Sequence, residues 1–241
     1  MSTRELAALP LPEARLSHIP WRRLFKRMAP VTMVYFCYGW TLWLFLSWIP
    51  QYFLHERSLD LRRSALFASA VFFAGVLGDT LGGALSDRWL RRTGSLKLAR
   101  SLLVSICMFM AMLSLIPLMF THSLGISLFC LSAAFFFAEM TIGPMWAIPM
   151  DIAPSYSGIA SGIMNTGSAL AAIISPVVSG YLIDRFDDWQ VPFIGSMVLM
   201  AVGVILAFRM QPDQKFEGIS TATLAAGGAG ASGEIEGEEP L

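Results

Sequence analysis

The sequence predicts an all-α membrane protein built on six transmembrane helices, and three observations predict it. Apolar residues make up 55% of the 241 and charged residues only 14%, against about 25% charged in an ordinary soluble domain. The charges cluster, which leaves six long, nearly uncharged windows, each close to the roughly 20 residues that cross a bilayer as a helix. The basic residues gather on alternate flanks of those windows, the pattern that fixes orientation in a membrane.

The first window, Ala29–Leu54, follows the basic amphipathic stretch Trp21-Arg22-Arg23-Leu24-Phe25-Lys26-Arg27, which is suited to the inner membrane surface. The second, Ala65–Leu85, lies between Arg62-Arg63 and the basic run around Arg88. The third, Leu98–Phe120, begins beside Lys97. The fourth, Leu124–Pro149, contains Glu139 and Pro144. Pro144 removes one backbone hydrogen bond, so a bend or opened turn is expected near it. The fifth and sixth are Gly158–Ile183 and Val191–Phe208. Gly, Ser and Pro inside these windows suit helices that pack in a membrane bundle.

With the first helix starting inside, the inner flanks hold Arg22, Arg23, Lys26, Arg27, Arg88, Arg91, Arg92, Lys97, Arg100, Arg209 and Lys215. The outer loops hold Arg57, Arg62, Arg63 and Arg185. Both termini are therefore expected in the cytoplasm of an integral membrane protein, with a bacterial inner membrane as its setting. Three regions follow: residues 1–27 a flexible and basic cytoplasmic segment, 28–210 the helical membrane domain, and 211–241 a disordered tail rich in Gly, Ala and Glu. The first residues have no apolar stretch of a cleaved signal. Cys37, Cys107 and Cys130 all fall inside windows, without metal spacing, and read as small buried apolar residues. Neither a cofactor, a metal nor a nucleic-acid partner is called for; the expected partners are membrane lipid and a small solute.

Between the second and third windows stands Gly83-Ala84-Leu85-Ser86-Asp87-Arg88-Trp89-Leu90-Arg91-Arg92. A glycine, an Asp-Arg pair four residues on and then two arginines resemble the loop motif of the major facilitator superfamily. Four stretches, one of them overlapping that loop, are similar to that family's anion:cation symporter branch: LFLSWIPQY from Leu44, LGGALSDR from Leu81, WAIPMDIAP from Trp146, and GIMNTG from Gly162 with ISPVVSGY from Ile174. The resemblance covers residues 21–210. It implies the C-terminal half of a twelve-helix transporter, made of two inverted three-helix repeats. It further implies proton-coupled carriage of a small organic anion, such as a sugar acid or aromatic carboxylate. The expected partner is an N-terminal half or a second copy.

Within that frame Gly83, Asp87, Arg88, Arg91 and Arg92 are the gating motif, with Asp87 in a charge clamp between neighbouring helices. The alternative is a solvated topology signal. Asp79 sits eight residues before Asp87, about 12 Å deeper, at helical spacing from Gly75, Gly82 and Ser86. Asp79 and Glu139 are acids at membrane depth, hence candidates for proton coupling; a structural hydrogen bond is the alternative for each. Gly143 and Trp146 follow Glu139 at helical spacing, which places Glu139 and Trp146 on one cavity-facing side. Asn165 shares a face with Gly158, Ser161, Gly162, Ser168 and Ala172, and the resemblance implies that it contacts substrate. Tyr38, on a stripe with Thr41, Phe45 and Trp48, is a further candidate for the cavity wall.

No Lys or Arg falls within residues 28–56, 64–87, 101–184 or 186–208. An organic anion needs a cation or helix N-termini to offset its desolvation, so the principal binding charges are expected in the other half. A truncated, non-transporting subunit or receptor is the competing function. An enzyme is not expected: Gly78-Asp79 is like the glycine-aspartate element of intramembrane aspartyl proteases, but Leu77 stands where that element needs glycine.

Overall fold

The computed structural model describes residues 19–216, which are helical apart from short connections. Six helices in this range are long and apolar enough to cross a membrane: α1 Trp21–Glu56, α2 Leu61–Thr93, α3 Lys97–Phe120, α4 Leu124–Ile152, α5 Pro154–Phe186 and α6 Gln190–Ala207. Phe25–Phe216 form one compact unit. The expectations for residues 1–18 and 217–241 lie outside the described residues.

Helix α2 outruns its apolar window because both of its ends are capped beyond the apolar region. Asp60 Oδ1 accepts the Arg63 N–H at 2.8 Å at the start of α2, satisfying a donor that the first turn leaves orphaned. At its end Gly94 takes φ 65° and its N–H returns to the Leu90 carbonyl, a left-handed cap that glycine adopts without a Cβ clash. The basic stretch from Trp21 is the first part of α1, not a separate surface helix.

Apolar burial does not drive helices together inside a membrane; close packing and interhelical hydrogen bonds do. The α2–α4 contact shows why this sequence has glycines where it does. A Cβ on Gly78 or Gly82 would run into the carbonyl oxygen of Phe136 or Met140. Gly143 presses in turn on Gly83, whose Cα would lie 2.6 Å from an added Cβ. The α1–α5 contact is its counterpart. There Gly167 meets the Thr32 carbonyl, Ser175 donates to the Trp40 carbonyl at 2.7 Å, and Trp48 donates to the Pro176 carbonyl at 3.0 Å. α3 packs on α6. Exchanging α1–α3 with α4–α6 maps α2–α4 onto α5–α1 and α3–α6 onto itself, the pairing of two three-helix repeats.

At the end of the bundle away from Asp87, an aromatic core ties the repeats together. Phe45 stacks on Phe135 at 5.2 Å and meets Phe193 edge-on at 6.1 Å. Leu115, Leu131 and Val71 close around them. At the basic end, Gln211–Phe216 are bonded to the bundle although they fall in the region read as a tail. The Arg27 guanidinium donates to Gln211 Oε1 and to the carbonyls of Gln211 and Gln214. The Phe216 N–H donates to the Ile152 carbonyl at 2.6 Å. Arg27→Ala should free this strap, and trypsin should then cut after Lys215 several-fold faster. An unchanged rate would mean that Arg27 does not hold it.

Candidate functional site: an acid–aromatic cluster and an exposed polar wall

Helix α4 is two pieces, Leu124–Glu139 and Ile142–Ile152. Pro144 has no N–H for the Met140 carbonyl, and its ring crowds that oxygen. The chain tightens one turn earlier instead: the Thr141 N–H and hydroxyl both donate to the Ala138 carbonyl, at 3.1 and 2.7 Å. The freed Met140 carbonyl lies against Gly82. This break separates Glu139 from Trp146. Helical spacing put both on one cavity-facing side, but Glu139 is 8% exposed and Trp146 is 40% exposed. Both side chains nonetheless meet α1, Glu139 at Tyr38 and Trp146 at Tyr35.

Glu139 is held from two sides. Tyr38 of α1, fully buried, donates its hydroxyl to Glu139 Oε1 at 2.9 Å. On α2, Gly75 leaves the space that the Glu139 Cγ occupies, 2.9 Å from where a Cβ would stand. Asp79, one turn further along α2, is exposed and within electrostatic reach of Glu139, Tyr38 and Tyr35. The small-residue face of α2 is Gly75, Gly78, Gly82 and Ser86, all buried; Asp79 stands at its edge and does not project from it. Tyr38 is too deeply buried to line a surface, and the aromatic between it and the exposed wall is Tyr35. The Tyr35 and Tyr38 rings stack at 5.4 Å, and the Trp146 indole N–H donates to Tyr35 Oη at 3.0 Å.

Asn165 and Thr166 are exposed on α5, with Gly158 and Gly162 on the same side. Trp146 lies six residues from the end of α4, Asn165 eight from the first residue of the α-helical part of α5, and Asp79 eight from Asp87. At 1.5 Å per residue these separations are about 9, 12 and 12 Å along the respective helices. Trp146, Asn165 and Asp79 are thus exposed side chains inside three different spans.

At the basic end Arg100 is 7% exposed and reaches two helices. Its Nε donates to Asp151 Oδ2 at 3.0 Å, at the end of α4. Its Nη1 bonds Ser86 and lies 3.4 Å from Asp87 Oδ1, both on α2. The Ser86 hydroxyl donates in turn to the Ala99 carbonyl at 2.7 Å. The motif acid thus meets an arginine, but that arginine is Arg100; Arg88, Arg91 and Arg92 are exposed along the end of α2.

A model of the Major Facilitator Superfamily matches residues 3–176 and 153–230. The chain belongs to this superfamily. A protein named a probable sulfoacetate transporter, SauU, from Cupriavidus necator is 44% identical over 200 residues, covering 83% of this chain and 46% of that relative. Probable galactarate/D-glucarate transporters are more distant. GudP of Pseudomonas putida is 30% identical over 75% of this chain and 41% of its own length. GarP of Escherichia coli is 31% identical over 66% of this chain and 36% of its own length. The chain spans less than half the length of each of these relatives. It is an integral membrane protein, with six spans among the described residues, in a family of transporters, not of enzymes.

Tyr35, Arg100, Ser86 and Asp151 were not singled out as site residues from the sequence. Arg100 and Asp151 carried a signal: each is a charge at the edge of an apolar window, Arg100 just inside its start and Asp151 just past its end. Tyr35 carried none, because a tyrosine three residues before another is ordinary in an aromatic-rich helix. Among the described residues, no group of three or more His, Cys, Asp or Glu is placed to hold a metal ion.

Proposed function

We propose that this chain is one half of a proton-coupled carrier for a small organic anion, a sulfonate or carboxylate, and that it works with a second six-helix half. The observation that carries the reading is the exposure of Trp146, Asn165 and Asp79 inside three spans, which we read as one wall. Polar side chains at membrane depth are costly against lipid, so such a wall belongs against a partner or a water-filled path. On this reading Asn165 and Trp146 contact the anion, Glu139 and Asp79 are the proton-coupling acids, and Tyr38 orients Glu139. Asp87 with Gly83, Arg88, Arg91 and Arg92 forms the gate. The names of the relatives support an anion. The absence of Lys and Arg from residues 101–184 supports a counter-charge in the partner half.

The test is uptake of sulfoacetate or galactarate into liposomes holding the purified chain, with oligomeric state measured on the same sample. No uptake is expected from the chain alone, and uptake is expected once a complementary half is added. Robust uptake by the monomer would overturn the reading. A parallel dimer that transports should prefer neutral or cationic solutes, because both copies present acids. Asp87→Asn should cut transport per inserted molecule by about tenfold with little loss of expression, since its carboxylate is mostly exposed; unchanged transport would leave Asp87 as a topology signal. Reporter fusions before residue 20 and after residue 216 should both report the cytoplasm, and opposite sides would mean an odd number of spans.

A further inference from the structure

Trp146 does not stand free on the exposed wall. Its indole donates to Tyr35 Oη, and the two rings meet edge to face at 6.4 Å. A phenol oxygen that accepts one hydrogen bond still has its own O–H to donate. The carboxylates within electrostatic reach of Tyr35 are Glu139 and Asp79. Tyr38, stacked on Tyr35, already donates to Glu139 at 2.9 Å. An indole and two phenols thus connect the exposed wall with a buried acid across α4 and α1. We propose that Tyr35 and Tyr38 are positioning residues that make the seat of Trp146 depend on whether Glu139 carries a proton. The proposal rests on the reading of Trp146 as part of the anion wall only for its use in transport, not for the link itself.

An ionised carboxylate only accepts, and its hydrogen bonds are about twice as strong as neutral ones. It holds the Tyr38 proton directly and acts on the Tyr35 hydroxyl through space. A phenol whose O–H turns toward a negative charge is polarised and becomes a better acceptor. The ionised Glu139 therefore tightens the hold of Tyr35 on the Trp146 N–H. Once protonated, Glu139 becomes a donor as well, the phenols lose their charged acceptor, and Trp146 is freed to change rotamer. The same proton removes a negative charge from behind the wall, so its arrival favours an anion there. The titratable groups that face Glu139 are Tyr38 and Tyr35 on α1 and Asp79 on α2. Asp79 is the rival proton carrier, and the experiment separates the two acids.

The chain is labelled with 5-fluorotryptophan, placed in lipid nanodiscs and followed by fluorine NMR; Trp146→Phe identifies the Trp146 resonance. That resonance should move through one transition between about pH 4 and 9, the range in which displaced carboxylates titrate. The transition should vanish in Tyr35→Phe, Tyr38→Phe and Glu139→Gln and persist in Asp79→Asn. The two phenylalanine variants remove only a hydroxyl, so they decide the matter if Glu139→Gln does not fold. A Trp146 resonance indifferent to pH in the parent chain overturns the proposal. So does a transition that survives Tyr35→Phe, or one lost in Asp79→Asn and kept in Glu139→Gln. Sulfoacetate and galactarate are then titrated into the same sample reconstituted with a complementary half. A resonance that follows pH but ignores both anions sinks the anion-wall reading and leaves the link standing.

Discussion

Arg100→Gln should destabilise the bundle by about 3 kcal/mol, the usual cost of removing one partner of a buried ion pair. The side chain of Arg100 is 8% exposed and that of Asp151 21%. The loss therefore leaves a mostly buried carboxylate at the end of α4 without its counter-charge. Ser86, fully buried, loses its bond to the guanidinium as well. The Asp87 contact adds little, because Asp87 is 62% exposed and water already screens it. Arg100→Lys should recover only part of the loss: an ammonium cannot fork toward α2 and α4 at once. Thermal unfolding in detergent, read by size-exclusion of the heated sample, measures this. A variant as stable as the parent would show that the arginine is there for topology alone.

Gly78→Val should prevent the α2–α4 contact from forming, at a cost of about 3 kcal/mol or more. The added Cβ would overlap the Phe136 carbonyl. That carbonyl belongs to a helix backbone and cannot rotate away as a flexible side chain would. Met140, whose carbonyl presses Gly82 in the same way, would be displaced with it, and so would the break that separates Glu139 from Trp146. Gly162→Ala is the control: nothing lies within 4 Å of a Cβ there. It should leave the isolated chain as stable as the parent, while any partner packed on that wall would feel it. Monodisperse, heat-stable Gly78→Val would contradict the packing described above.

The six spans were legible in the sequence because crossing a membrane is a local requirement. A helix satisfies its own backbone wherever it sits, so twenty apolar residues announce a span without reference to any other part of the chain. The basic flanks and the motif around Asp87 are local in the same sense, and they carried the family with them. The bend in α4 was also readable, since Pro144 breaks its own helix. Its consequence was not: Trp146 and Glu139 both meet α1, at Tyr35 and Tyr38, but only the folded chain leaves one exposed and buries the other. The partners of the polar groups lie far apart in sequence. Arg100 finds Asp151 and Ser86, Tyr38 finds Glu139, and Trp146 finds Tyr35 in a bundle where Gly78 and Gly82 let α2 meet α4, and Gly167 lets α5 meet α1, at backbone contact. Helix packing is decided by the shapes of two surfaces at once, and a single strand of sequence states only one of them at a time.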